Sequence, residues 1–476
     1  MFAQVRRRGA IIATSKTMAA GALVLSVTCG STAQAQQASG AAAPAASPFR
    51  LERFAEDWFS MADETARTRP WHGLKWIELG EARVTLGGDF RLRSEFVDAP
   101  LLGATGARAD SYLLRRAMLH ADVRLNPVAR AFIQVSHHRA YGRKLPFPLD
   151  RDGFEFQQAF LELTRASPKG TIAVRAGRQE IILSSRFLHP REATNIRSAY
   201  DGIRAWAQHG FWRVEGFVTR PVQSRPGALD NRGNPAERFD GVRLTRTFGA
   251  KGAWRLIGSW YRQQREAFRI GSASGPDDRT SWGLRLAGRE GAFDFDAEHY
   301  IQAGQFAGQR ISAFGGGGEG GFAPPGSSRP RLGMRWLYGS GDGDAGDNRS
   351  GTFAGPFPRP PCCIDPLWLA PSNLAVLTPF VQITPHRDVM VEGKADFVRR
   401  LRGSDAIYAF PQTAYPGSVG RVGDNLGGAV GVSVTWTPVP EMSVGVQHLE
   451  QSAQGAFAEA GARDGRYTAA SIAIRF

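Results

Sequence analysis

Cysteine is scarce in this sequence: three residues in 476, two of them adjacent, too few to build a disulfide framework. Cys362 and Cys363 leave open a strained vicinal disulfide, a metal site or an inert pair. With no third and fourth ligand nearby, the metal is disfavoured. Lysine is scarce too, since of 59 basic residues only six are lysine and 53 are arginine. Long apolar runs are missing. Beyond the N-terminus nothing approaches the ~20 continuous apolar residues of a membrane-spanning helix, which excludes that route through a bilayer. Histidines are few and scattered. His137 and His138 share a strand end, His189 lies in a loop and His299 on a strand, so none joins a catalytic motif and no enzyme is expected. Motifs that read DNA or RNA are absent, and the basic residues are spread over many segments, which excludes nucleic acid as the partner.

What is present begins with an export signal. Arg6, Arg7 and Arg8 precede a short apolar core at 18–27, and Ala33, Gln34 and Ala35 form an A-x-A cleavage site. Residues 1–35 therefore read as a secretory signal peptide. Cys29 falls inside it, and residues 26–29 (SVTC) depart from a lipoprotein box, so ordinary cleavage before Gln36 is expected. The net charge of +15 and a pI near 10.3 call for anionic partners: acidic lipid, lipopolysaccharide or a polyanionic substrate. An exported chain without apolar helices can still cross a membrane as a closed barrel, because closure satisfies every backbone hydrogen bond.

Residues 36–48 are a flexible leader, 49–80 (with Phe54, Asp57, Trp58, Trp71 and Trp76) a partly ordered periplasmic segment, and 81–476 a barrel. Candidate strands lie near 83–96, 112–125, 129–137, 155–164, 171–180, 200–208, 211–220, 239–247, 253–262, 280–288, 292–301, 305–316, 330–339, 374–384, 387–399, 427–437, 441–451 and 466–476. The fold class is thus all-β: an up-and-down antiparallel transmembrane barrel of about 18 (16–18) strands. Connections alternate. Tight turns such as Asn126 with Pro127 separate strands on one side; long polar loops at 138–154, 181–199, 221–238, 263–279, 340–373 and 400–426 separate them on the other. Short periplasmic turns and long extracellular loops are how an outer-membrane barrel is built. The 301–330 region breaks the rhythm, and its glycine run hides the register. The final strand alternates Thr468, Ala470, Ile472 and Ile474 on one face and stops on Phe476, like the terminal strands recognised by outer-membrane assembly.

Strand side chains alternate between two faces, so parity assigns them. Val84, Leu86, Phe90 and Leu92 share one face; Asp89, Arg91, Arg93 and Glu95 share the other. The apolar parity recurs in Trp212, Val214 and Val218, in Trp282, Leu284 and Leu286, in Leu332, Met334 and Trp336, and in Val430, Val432, Val434 and Trp436. The opposite parity carries Arg91, Arg93, Arg116, Arg124, Arg130, Arg175, Arg204, Arg213, Arg285 and Arg335. Each arginine facing lipid at the midplane would cost about 2–4 kcal/mol, so these residues are expected to line the lumen. Arg115 and Arg178 sit on the lipid parity near strand ends and are expected to reach for headgroups or loops. Asp294, Asp296 and Glu298 share the inward parity of one strand. They leave two readings: an acidic wall facing a basic one across the lumen, or local neutralisation of neighbouring arginines. Asp342, Asp344 and Asp347 in a glycine-rich loop have a loose calcium-ligand spacing and are also read as a solvated turn; no other cofactor is expected.

Several stretches resemble the alginate export family: RFAEDW at 53–58, LKWIELG at 74–80, LGGDFRLRSEF at 86–96, SYLLRRAMLHADVRLNP at 111–127 and FQQAFLEL at 156–163. The resemblance continues through VRAGRQEIILSSRFLHPREATNIRSAYDGIR at 174–204, SGDGDAGDN at 340–348 and SDAIY at 404–408. It implies an eighteen-stranded monomeric conduit for an anionic polysaccharide, with a periplasmic secretion scaffold as an expected partner. It assigns Arg175, Arg178, Glu180, Arg186, Arg191 and Arg197 to a charged strand-and-loop segment, with loop 181–199 able to fold into the pore mouth. Two departures stand out: strand 427–437 lacks expected acidic residues, and 301–330 is atypical. The favoured function is a passive outer-membrane channel for alginate-like polysaccharide or related anionic solutes. The alternatives are an uptake porin for small organic acids or hydrophobic compounds, a barrel enzyme, and a plugged structural barrel.

Overall fold

The computed structural model describes residues 47–103, 106, 109–145, 147–183, 187–188, 194–356 and 369–476. The signal-peptide reading, Arg186, Arg191, Cys362 and Cys363 fall outside the described residues. Period-2 alternation forms eighteen barrel strands. They are β1 (Ala82–Val97), β2 (Asp110–Arg124), β3 (Ala129–Tyr141), β4 (Asp152–Ser167), β5 (Gly170–Gln179), β6 (Tyr200–His209), β7 (Trp212–Gln223), β8 (Glu237–Phe248) and β9 (Trp254–Ile270). The others are β10 (Ala273–Glu290), β11 (Phe293–Phe306), β12 (Gln309–Phe322), β13 (Arg331–Gly339), β14 (Leu374–His386), β15 (Val389–Arg400), β16 (Asn425–Val439), β17 (Met442–Ala453) and β18 (Gly465–Arg475). Each pairs antiparallel with its successor. β18 returns to β1, with Asp89 opposite Arg475 and Val97 opposite Tyr467. The ring has no free edge, the condition for a sheet to sit in hydrocarbon.

The parity assignment holds around the ring. Ile172, Leu284, Ile301 and Val430 stand more than half exposed on the outer face, while Arg91, Arg116, Arg175, Arg204 and Arg285 are buried on the inner one. Trp212 and Trp436 lie on the outer face close to the turns on the periplasmic side, as in an aromatic girdle.

The loop rhythm needs two corrections. Residues 263–279 are no long loop: β9 and β10 run on as a hairpin closed by Gly271 and Ser272. Outside the bilayer a strand no longer needs an apolar outer face. There β9 carries Arg262 and Gln264 on its outer parity, and Arg262 pairs with Asp278 at 2.6 Å. The 301–330 region is equally regular. β11 and β12 turn at Ala307 and Gly308, and the connection at 323–330 lies on the periplasmic side. The glycine run sits inside β12 because aromatic rings lie flat on it. A Cβ at Gly318 would fall 2.1 Å from the Trp336 ring, and one at Gly315 2.6 Å from Phe353.

Candidate functional site

Two segments enter the lumen from opposite ends. Residues 49–58 form a finger on the periplasmic side. Phe54 sits edge-on to Phe132 of β3 and Phe160 of β4, at 5.9 and 5.5 Å. Arg175 of β5 lies 4.1 Å from the centroids of both Phe54 and Phe160. Arg53 donates to the carbonyls of Gly88 and Phe476, each at 2.9 Å, and pairs with Glu56 at 2.5 Å. The segment expected as a periplasmic approach therefore reaches inside the wall. Burial holds the Glu52 carboxyl above its usual range although Arg204, Arg175 and Arg197 pull it down. Burial likewise raises Glu56 against the pull of Arg53. Lys75, enclosed by Trp58 and Trp71 at 4.8 and 5.5 Å, is pushed down to about 8 by burial.

From the extracellular side, the described residues 180–183, 187–188 and 194–199 turn inward. Glu180 is fully buried, paired with Arg197 at 2.5 Å and accepting from Gln157 at 2.9 Å. Phe187 crosses to the Tyr300 ring of β11 and to Phe353, at 5.5 and 5.4 Å. Arg91 of β1 holds the Thr194 carbonyl at 2.9 Å. The two inserts meet where Arg197 donates to the Leu51 carbonyl at 2.9 Å.

Most inward arginines are stitched to acids on the same or neighbouring strands. Arg116 meets Asp89 at 3.4 Å, Arg130 meets Asp122 at 2.6 Å, and Arg175 pairs with Glu162. Arg93 pairs with Glu95 at 2.8 Å, and the more open Arg124 reaches Asp122 at 3.8 Å. Arg335 bridges Glu319 and Glu392, each at 2.7 Å. The acids of β11 are neutralised in the same way: Asp296 by Arg285 at 2.6 Å and Asp294 by Arg331. Glu298 is buried beside the Tyr300 hydroxyl at 3.4 Å. For Asp294 and Asp296 the contacts are those of local neutralisation. Arg178 follows its lipid parity and not the pore-lining role that the family segment implied for it. Three residues past Arg175 it points to the other side of the wall, where it clasps Asp201 at 2.7 Å. Arg115, on the same outer parity, contacts His137 at 3.2 Å.

One stretch of wall differs. Glu215 of β7 lies opposite Arg243 of β8 in register, but its carboxylate is held by Arg204 at 2.8 Å and Arg213 at 3.1 Å. Arg243 and the half-buried Arg255 of β9 form no ion pair among the described residues. Their inward parity, opposite Val242, Leu244 and Leu256, was readable in sequence; that their acids are already occupied was not.

The loop aspartates Asp342, Asp344 and Asp347 do not converge. Asp344 accepts from the Gly346 amide at 2.9 Å and Asp347 from the Arg349 amide at 2.9 Å, as in an ordinary polar turn.

The sequence profile described as alginate export matches residues 82–468. Among solved structures, the barrel is similar to OccK9 (OpdG) of Pseudomonas aeruginosa, at 11% identity and a TM-score of 0.56, covering 83% of this chain and 98% of that one. It is similar to Pseudomonas aeruginosa OccK2 (OpdF) in complex with glucuronate, at 10% identity, TM-score 0.54, and 83% and 98% coverage. It also resembles Pseudomonas aeruginosa OpdK with vanillate, at 12% identity, TM-score 0.52, and 82% and 98% coverage. At these identities the likeness is one of fold. Comparison with curated proteins gave no match.

Proposed function

Since the chain belongs to the alginate export family, an outer-membrane barrel channel, we propose that it passes anionic polysaccharide, or smaller carboxylate-bearing solutes, by diffusion along an arginine-lined path. The observation that carries this reading is the β7–β9 wall. There the Glu215 carboxylate is held by Arg213 and by Arg204 of the adjoining β6, and Arg243 and Arg255 form no ion pair among the described residues. An inward guanidinium whose local acid is already taken has its donors available to a passing anion. Its planar fork matches a uronate carboxylate in two hydrogen bonds. The test is reversal-potential measurement of the refolded protein in planar bilayers under a salt gradient, with oligouronate added as a blocker. Anion preference and concentration-dependent block are expected; cation preference would overturn the reading.

A second reading, uptake of small organic acids, is favoured by the two inserts in the lumen. Phe54 and Phe187 narrow the space that a polymer would need. The similar OccK2 barrel was crystallised with a monomeric uronate, glucuronate. Block by glucuronate as strong as block by its oligomers would favour this second reading.

A further inference from the structure

At the extracellular end of β4, Asp152 and Glu155 meet Asp230 of the loop between β7 and β8, with one carboxylate oxygen from each within 4.8 Å of the others. Asp152 and Glu155 are each only 2% exposed. None of the three pairs with lysine, arginine or histidine among the described residues, although arginine supplies a partner for most other buried acids in this barrel. Most of the hydrogen bonds they receive come from the loop itself. Asn231 donates its side-chain amide to Asp152 at 2.7 Å and its backbone amide to Glu155 at 3.1 Å, and the Asp230 amide donates to Glu155. Asp152 Oδ1, on a side chain almost wholly removed from water, accepts nothing, and neither does Asp230 Oδ1. Buried carboxylates are stable when paired or when they coordinate metal.

The backbone around them is set. Gly153 donates to the Gly227 carbonyl at 2.8 Å, and Leu229 to the Phe154 carbonyl at 2.9 Å. The approach is so close that a Cβ at Gly153 would fall 2.0 Å from the Gly227 oxygen. Loop and strand thus hold three carboxylates together before any ligand arrives.

We propose that Asp152, Glu155 and Asp230 form a divalent-cation site, with calcium as the preferred ion. Oxygen-only ligands select a hard cation. Burial favours the ion that more readily gives up its water, since magnesium dehydrates reluctantly and demands stricter geometry. Bound there, calcium staples loop 224–236 to β4. It also braces the inward-folded loop, because Asn195 donates to the Asp150 carbonyl at 2.8 Å and Ile196 to the Leu149 carbonyl at 3.0 Å, next to the site.

The test uses the full-length refolded protein, stripped with EDTA and titrated with calcium chloride by calorimetry. Magnesium chloride serves as comparator and Asp344→Asn as control. One saturable calcium site is expected, with magnesium weaker by about tenfold or more. It should be lost in Asp152→Asn and Asp230→Asn and kept in Asp344→Asn. Thermal stability supplies a readout independent of binding. In EDTA, Asp152→Asn should melt above the wild type because it removes a repelling charge; in calcium it should melt below. Absence of calcium binding by the wild type, its persistence in both variants, its loss in Asp344→Asn, or the same stability order in both buffers would each overturn the proposal.

Discussion

The lumen wall around β3–β5 and the wall around β7–β9 are built from the same residue on the same strand parity, yet they do different work. On the first, Arg130 and Arg175 are tied to Asp122 and Glu162, and Arg175 is sandwiched between Phe54 and Phe160. On the second, Glu215 is taken by Arg213 and by Arg204 of the adjoining β6, and Arg243 and Arg255 form no ion pair among the described residues. Inward parity therefore does not make an arginine functional. The number of carboxylates within reach separates the two walls: a guanidinium paired to a buried acid is part of the scaffold, and on the proposed function one without an ion pair is the candidate to meet a solute.

The sharpest way to break the contrast is to remove Arg175. Arg175→Ala leaves Glu162 short of its partner in a nearly dry site, and the expected loss is about 3–5 kcal/mol of unfolding free energy in urea titrations. Arg243→Gln, which breaks no ion pair, should lower that quantity by clearly less than Arg175→Ala does. Equal losses at the two positions would erase the distinction. Next in size is the finger: Arg53→Ala with Phe54→Ala removes its latch and its aromatic anchor. Single-channel conductance should rise severalfold, while an unchanged conductance would mean that the finger is not what narrows the covered wall. Third, Arg243→Gln with Arg255→Gln should lower the anion-to-cation permeability ratio severalfold at nearly constant stability. Substituting Arg130 and Arg335 instead should act mainly on stability.

The smallest effect concerns pH. Burial raises Glu52 and Glu56 above the ordinary value of 4.5, so the docked finger binds protons more tightly than the free one. Docking therefore strengthens as pH falls through the raised pKa and gains nothing further below about 4.5. Mean conductance should decline on acidification in the wild type and far less in Glu52→Gln with Glu56→Gln; a rise on acidification would reverse the assignment.

Much of the architecture was legible because lipid imposes a strict period of two. The barrel class, the strand number, the lipid-facing parity and the closing final strand follow from it, although the expected 305–316 strand straddles the turn at Ala307 and Gly308. Legibility failed where lipid stops acting. The β9–β10 extension stands clear of the bilayer and carries Arg262 and Asp278 where a membrane strand would carry apolar residues. The glycines of β12 hid the register because their partners, Trp336 and Phe353, lie on other segments. Ion pairing was illegible for the same reason: Arg335 and Glu392 are 57 positions apart and meet only through the arrangement of the strands. The acidic cluster at Asp152, Glu155 and Asp230 is likewise assembled across a loop, whereas the contiguous spacing of Asp342, Asp344 and Asp347 drew attention and brought no carboxylates together.

The contact of Arg53 with the Phe476 carbonyl joins the first described segment of the chain to its last residue. Its acceptor reaches that position only when β18 has zipped onto β1, so the contact can form only after the ring has shut. The protein thus carries a chronological marker of its own biogenesis. A ring still open between β18 and β1 can hold Phe54 on β3 and β4 but lacks this acceptor for Arg53, so the last contact of the finger reports closure.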